Sequence, residues 1–349
     1  MMWLLPSALT LMAGCSVIDD DLTNCPPDSE PVTQFELEYQ LRLVTNMTTE
    51  LQTHLTTMTE LSVAQALQTH LKDIFSDFAH DVDLSFYDTE GKLNRLEHVV
   101  DIIDANQTTY DLTLPMRKYL HLAVANIAEN HQVGLANDGD SKGSMLQQAA
   151  PIVSDGFPVG IIASHTTGLF TARQPMEVLS GVNQTFHVHL YMANSATSLV
   201  IDPNGHTFSD IKVFATGFAT AFYISDSVYV YNDSQTLVRA DKVPVENDLL
   251  CFCTVNFPSR DAIGSGSRQA TRADADTNNT LWQYKVYVTK SDGKITETIL
   301  NLDDPLKAGD LKIVKGSFDD DGAVRPYDST VGVSVTLDWN DGGNYDIPL

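Results

Sequence analysis

The chain has 349 residues, 43% of them hydrophobic, and carries 46 acidic against 21 basic side chains for a formal charge of −25. That length and apolar content suffice for a sizeable core and predict two domains. The acidic excess repels phosphates and excludes nucleic acid, or any other polyanion, as a partner class.

In chain order the first feature is an uncharged apolar leader that closes on Leu11-Met12-Ala13-Gly14-Cys15. These residues read as a bacterial lipobox, in which small side chains let a signal peptidase hold an extended strand just before a cysteine. The cysteine thiol then accepts a diacylglyceryl group. Residues 1–14 are therefore expected to be a signal peptide and Cys15 the acylated first residue of the mature protein. Its two or three acyl chains would hold a membrane at roughly 0.8 kcal/mol per buried CH₂. No cofactor is expected beyond these covalent acyl chains. A secretory leader normally opens with Lys or Arg and this one does not, so the true start codon is expected upstream. No later window reaches the roughly 18 uninterrupted apolar residues of a membrane-crossing helix. Asp19, Asp20 and Asp21, followed by Leu22 to Pro27, make a polar, proline-broken tether over residues 15–31.

From Gln34 to Val44 apolar and polar residues alternate strictly, with Phe35, Leu37, Tyr39, Leu41 and Leu43 on one face, which predicts a half-buried strand. Between Thr57 and Ala79 the period lengthens. Leu61, Ala64, Leu67, Leu71, Ile74, Phe75 and Phe78 recur at steps of three or four, predicting an amphipathic helix that covers a sheet. Short strands follow around Val82–Phe86, Leu93–Ile103, Tyr110–Pro115 and Lys118–Asn126. The Gly-, Asp-, Asn- and Ser-rich stretch Leu135–Gln148 is expected to be a loop. A domain boundary is placed near residues 151 to 168, giving domains 32–160 and 161–349. The second half adds strands at Met176–Leu179, Thr185–Met192, Ser198–Ile201, Ile211–Ala215, Ala219–Ile224 and Leu249–Val255. It ends with Trp282–Val288, Ile295–Leu300 and Val331–Trp339. Many short strands, Gly/Asp/Asn turns and one helix predict a mainly β chain built from sandwiches.

Chemistry-bearing patterns are sparse. His187 and His189 share a strand face, yet no third ligand follows from the sequence, His165 and His206 being the nearest guesses, so no metal site is expected. Phe318-Asp319-Asp320-Asp321-Gly322 lacks the oxygen spacing and distal Glu of a calcium loop and reads as a solvated turn. Besides Cys15 the mature cysteines are Cys25, Cys251 and Cys253. The last two share one strand face, where a direct bridge is geometrically poor, and are expected as buried thiols; a bridge from Cys25 to one of them is the alternative. Pro258–Asn279, with Arg260, Arg268 and Arg272, is expected to be a surface excursion. No nucleophile elbow, zincin motif, P-loop or dinucleotide fingerprint occurs, so no catalytic residue is assigned.

The opening Cys15 to Pro26 resembles that of the FimB-type fimbrial anchor lipoproteins of Bacteroidales, the anchor subunits of type V pili. Asp81–Asp88 after the helix, the pair Tyr110–Pro115 and Tyr119–Asn126, and the ending Val333–Gly343 are similar to the same family. The resemblance implies two tandem transthyretin-like β-sandwiches on an acylated tether. It further implies a lipid-anchored protein of the outer membrane, exposed at the cell surface, that holds the base of a fimbria and supports adhesion without catalysis. Asp19, Asp20 and Asp21 would then serve as its surface-export signal. Fimbrial stalk or other pilus subunits would be its partners, joined by strand addition, for which either Phe35–Leu43 or Val331–Trp339 is expected to offer a sheet edge. The competing reading is a glycan-binding surface lipoprotein. Such a protein would display aromatic platforms, but Trp282 and Trp339 are the only mature tryptophans and strand alternation assigns both to the core.

Overall fold

A computed structural model of the chain describes residues 34–44, 61–74, 79–89, 95–102, 109–139, 141–152, 159–232, 236–246, 248–260 and 280–337. The leader, the tether, Cys15, Cys25 and Asp19 to Asp21 lie outside them, as does most of the 258–279 excursion. Among the described residues the fold is mainly β, with one helix, α1 (Leu61–Ile74).

In chain order the strands before residue 150 are β1 (Gln34–Val44), β2 (Asp81–Asp88), β3 (Arg95–Ile102), β4 (Thr109–Pro115), β5 (Lys118–Ala125), β6 (Val133–Asp138) and β7 (Ser141–Gln148). The middle of the chain holds β8 (Gly160–Ala163), β9 (Phe170–Glu177), β10 (Thr185–Met192), β11 (Ser195–Asp202), β12 (Asp210–Thr216), β13 (Ala221–Tyr223), β14 (Val228–Val230), β15 (Thr236–Arg239) and β16 (Asp241–Val243). The remainder are β17 (Leu250–Asn256), β18 (Trp282–Thr289), β19 (Ile295–Leu302), β20 (Leu311–Phe318), β21 (Val324–Pro326) and β22 (Gly332–Thr336).

These strands form four sheets. A seven-stranded sheet runs β3-β2-β5-β9-β10-β1-β4 and a four-stranded one β14-β13-β7-β6. A five-stranded sheet runs β16-β17-β11-β20-β21 and a six-stranded one β22-β19-β18-β12-β15-β8.

Packing follows from which faces are apolar. One face of the seven-stranded sheet (Leu84, Phe86, Ala123, Leu190) shares a core with Val63, Leu67 and Leu71 of α1 and with Val200, Cys251 and Cys253 of the five-stranded sheet. The opposite face of that five-stranded sheet (Leu199, Ile201, Phe252, Val314) packs on Val213, Trp282, Tyr284, Val286 and Leu300 of the six-stranded sheet. Consequently β11 is buried on both faces, which is why its sequence SATSLVID lacks a charged residue before its end. The four-stranded sheet covers the far side of β2 and β5, where Tyr87, Leu122 and Val124 meet Leu146 and Phe222.

The helix buries the expected Ala64, Leu67 and Leu71, whereas Leu61 is 64% exposed and Val63 takes a core place instead; Phe75 and Phe78 lie outside the described residues. The expected loop Leu135–Gln148 is a β-hairpin, β6 pairing antiparallel with β7. In its turn Gly139 adopts a positive φ of 57° and Asn137 Oδ1 accepts a 3.0 Å bond from the Gly143 amide. Leu146 of the same hairpin is fully buried. Around residue 160 the sheets interleave: β8 joins the six-stranded sheet beside β15, while β9 and β10 complete the seven-stranded sheet of the first half.

Candidate assembly surface

The two strands expected at a sheet edge are placed differently. β1 is interior, running parallel to β10 from Glu38↔Thr185 to Val44↔Tyr191 and antiparallel to β4 on its other side. Its alternation reflects one buried face, Leu37 being 3% exposed, and both of its backbone edges are taken. The expectation that β1 offers an edge is therefore corrected: a half-buried face and a free edge are independent properties, and only the first is written in alternation.

β22 does lie at an edge. Among the described residues it pairs with β19 alone, from Glu297↔Thr336 to Asn301↔Gly332. None of its residues is fully buried; Val333 and Val335 are half-buried and the residues between them exposed. Its neighbour β19 carries Thr296, Thr298, Leu300 and Leu302 in the core. The chain reaches β22 from β21, the edge of the five-stranded sheet, through an Asx turn. Asp328 Oδ1 accepts from the Thr330 amide at 2.9 Å and the Thr330 hydroxyl at 2.7 Å, and these bonds hold its carboxyl below the usual range. The rim between the two sheets is tied by Thr298 Oγ1, which accepts from the Val324 amide at 3.1 Å, and by Thr296 Oγ1, which donates to the Asp321 carbonyl at 2.7 Å. Tyr327 and Leu337, 61% and 49% exposed, flank the strand. A shallow strand with one open edge and apolar flanks is the geometry that accepts another strand.

The remaining expected positions are dispersed. His187 and His189 sit exposed on β10, whereas His165 is buried edge-on against Phe257 with its ring centroid 5.0 Å away. Burial pushes His165 down to about 3. His206 stacks on Phe208 and reaches Asp320 at 3.5 Å. Among the described residues no three His, Cys, Asp or Glu side chains are grouped to hold a metal ion. Asp319 closes the acidic turn itself: its Oδ1 accepts from the Ala323 amide at 2.8 Å and its Oδ2 pairs with Arg325 at 2.8 Å. Cys251 and Cys253 are buried free thiols facing the helix side of the five-stranded sheet, and burial raises Cys251 to about 11. Trp282 is in the core, its Nε1 donating to the Asp304 carbonyl at 2.9 Å.

The family model of the fimbrillin-A associated anchor proteins Mfa1 and Mfa2 matches residues 50–340. The chain belongs to this family. The match runs from the region ahead of α1 through β22, so it takes in every strand except β1. No curated protein matches the sequence. Among solved structures, a candidate adhesin from Bacteroides thetaiotaomicron is 12% identical over 87% of this chain and 99% of its own, with a TM-score of 0.50, and shares the fold. The fimbrial anchor protein Mfa2 from Porphyromonas gingivalis is 10% identical over 87% of this chain and 99% of its own, with a TM-score of 0.43. A fimbrial assembly protein from Parabacteroides distasonis is 13% identical over 88% of this chain and 100% of its own, at a TM-score of 0.38. The fimbrial-anchor kinship expected from the sequence is thus met by the family match.

Proposed function

We propose that this chain is the membrane-held base of a fimbria. It is acylated at Cys15, routed to the outer face of the outer membrane by Asp19 to Asp21, and joined to pilus subunits by a strand added along the free edge of β22. It supports adhesion and performs no catalysis. Domains 32–160 and 161–349 act here as one body between membrane and stalk. The observation that carries this reading is the fimbrial-anchor family match over residues 50–340. The open edge of β22 supports the mode of attachment.

Metabolic labelling with an alkyne-palmitate, in wild type and in Cys15→Ser, tests the anchor. Label is expected in the wild type alone, and label persisting in Cys15→Ser overturns acylation at that residue. Protease added to intact cells should degrade the wild-type protein, since a protected protein would lie in the periplasm. For the strand, Ser334→Cys, an exposed position on β22, is expected to cross-link to a neighbouring fimbrial subunit, and an equally exposed Thr113→Cys on β4 is not. Cross-linking from Thr113→Cys alone would move the attachment to β4, the end strand of the seven-stranded sheet.

A further inference from the structure

β9 and β10 keep only two register pairs, Tyr191↔Thr171 and Met192↔Phe170, and their ladder ends there. At the turn of this hairpin the Gln184 side chain stands in for further rungs, accepting from the Leu179 amide at 2.8 Å and donating to the Glu177 carbonyl at 3.1 Å. Where the two strands part, a groove of about 470 Å³ opens beneath the β13–β14 hairpin. Thr171 lines its floor, and its far wall is Phe222 stacked on Tyr229 at 4.3 Å.

Three properties of this groove point to one ligand class. Tyr191 lies at its lip with 59% of its surface exposed, among the most exposed large aromatic side chains of the described residues and one whose ring no sheet covers. Arg173 lines the wall, its Nε donating to the Ser225 carbonyl, which fixes the guanidinium plane and leaves the terminal nitrogens as donors. No Asp or Glu lines the groove, although acidic residues outnumber basic ones by more than two to one in the chain. His189 and Ser227 complete the rim with further hydrogen-bonding groups, and Arg42 holds the register position beside His189 on β1.

We propose that the Tyr191–Arg173 groove binds a terminal pyranose bearing one carboxylate, of the uronic- or sialic-acid type, on an otherwise neutral glycan. The ring face stacks on Tyr191, the carboxylate takes the terminal nitrogens of Arg173, and hydroxyls meet Thr171, His189 and Ser227. The volume lies within the roughly 300–1,000 Å³ of small-ligand sites. The field of a chain at −25 rejects a polyanion but admits a single carboxylate where an arginine awaits it. This site goes beyond the anchoring role and is independent of β22, at the rim between the other two sheets.

Isothermal titration of the full chain with 3′-sialyllactose, methyl β-glucuronide, lactose and glutarate tests the proposal. At least one of the two acidic sugars is expected to bind, with lactose and glutarate about tenfold weaker or undetectable. Tyr191→Ala and Arg173→Gln should each weaken the acidic sugar about tenfold, or about 1.4 kcal/mol. Tyr191→Ala removes an exposed ring and should melt as the wild type does, so its loss of binding is not a folding defect. Failure of both acidic sugars to bind, equal binding of lactose, equal binding of glutarate as a peptide-like carboxylate, or unchanged binding by Tyr191→Ala overturns the proposal. Tyr191→Ala is expected to assemble into fimbriae normally, so failure here leaves the anchoring role standing.

Discussion

At the scale of single residues, the core stores two neutral imidazoles. His121 is fully buried, stacks on Phe86 at 4.4 Å and meets the Ser85 carbonyl through Nδ1 at 3.0 Å. Burial lowers it to about 4, and burial lowers His165 to about 3. A histidine whose folded value is depressed binds fewer protons folded than unfolded. Its contribution is therefore present above the unfolded value near 6.5 and is lost as pH falls from there toward the folded value. Urea melts between pH 7.5 and 4 are expected to show falling stability below about pH 6.5, with roughly 3 kcal/mol of the loss from His121. His121→Phe should remove about half of that dependence, His165 supplying the rest, and an unchanged slope would remove His121 as a cause. Gly217 is a second sensitive point. Its φ is +101°, and a Cβ there would lie 2.7 Å from both the Leu281 carbonyl oxygen and the Trp282 Cα. Gly217→Ala must push back backbone that carries the core tryptophan, so a destabilisation above about 3 kcal/mol is expected in thermal or urea melts.

At the scale of elements, β22 and β11 are opposites. One has a free edge and no fully buried residue; the other is paired on both sides and covered on both faces. Amide exchange followed by mass spectrometry should therefore show β22 exchanging well before β11 and β17, and equal protection would deny β22 the looseness that strand exchange requires. The same contrast explains what the residues disclosed in advance. Alternation in Gln34–Val44 and Thr185–Met192 located β1 and β10 to the residue, because each has one wet face. β14, β15, β16 and β21 escaped notice because three or four residues cannot display a period, and they are held by neighbours distant in sequence. The β6–β7 hairpin escaped because its turn residues outweighed Leu135, Met145 and Leu146 in a short window. Edge or interior position was illegible for β1, since pairing partners leave no local mark. The groove at Tyr191 was hidden for the same reason: it depends on where β9 and β10 stop pairing, and the only local signal was a bulky tyrosine on the polar face of an alternating strand.

At the scale of the whole molecule, the interleaved sheets predict how it comes apart. A fragment ending at residue 160 would lack β9 and β10, exposing one edge of β5 and the parallel edge of β1. Separate expression of 32–160 and 161–349 is expected to yield aggregated or unfolded material by circular dichroism and gel filtration; two folded fragments would show that the halves close their own cores. Cys251 and Cys253, at 0% exposure in the core that the five-stranded sheet shares with the seven-stranded one, report the same event. Their thiols should resist alkylation in the native protein and react together when the core opens, read by mass spectrometry across a urea series. Only two residues, Ala193 and Asn194, separate β10 from β11, and β10 lies parallel to β1 just as β11 lies parallel to β20. A pull between the N-terminal end of β1 and the far sheets therefore slides β1 along β10, straining the rungs of that ladder together instead of unzipping them one by one. Under the anchoring and attachment proposed above, that arrangement would make this fold a mechanical clamp.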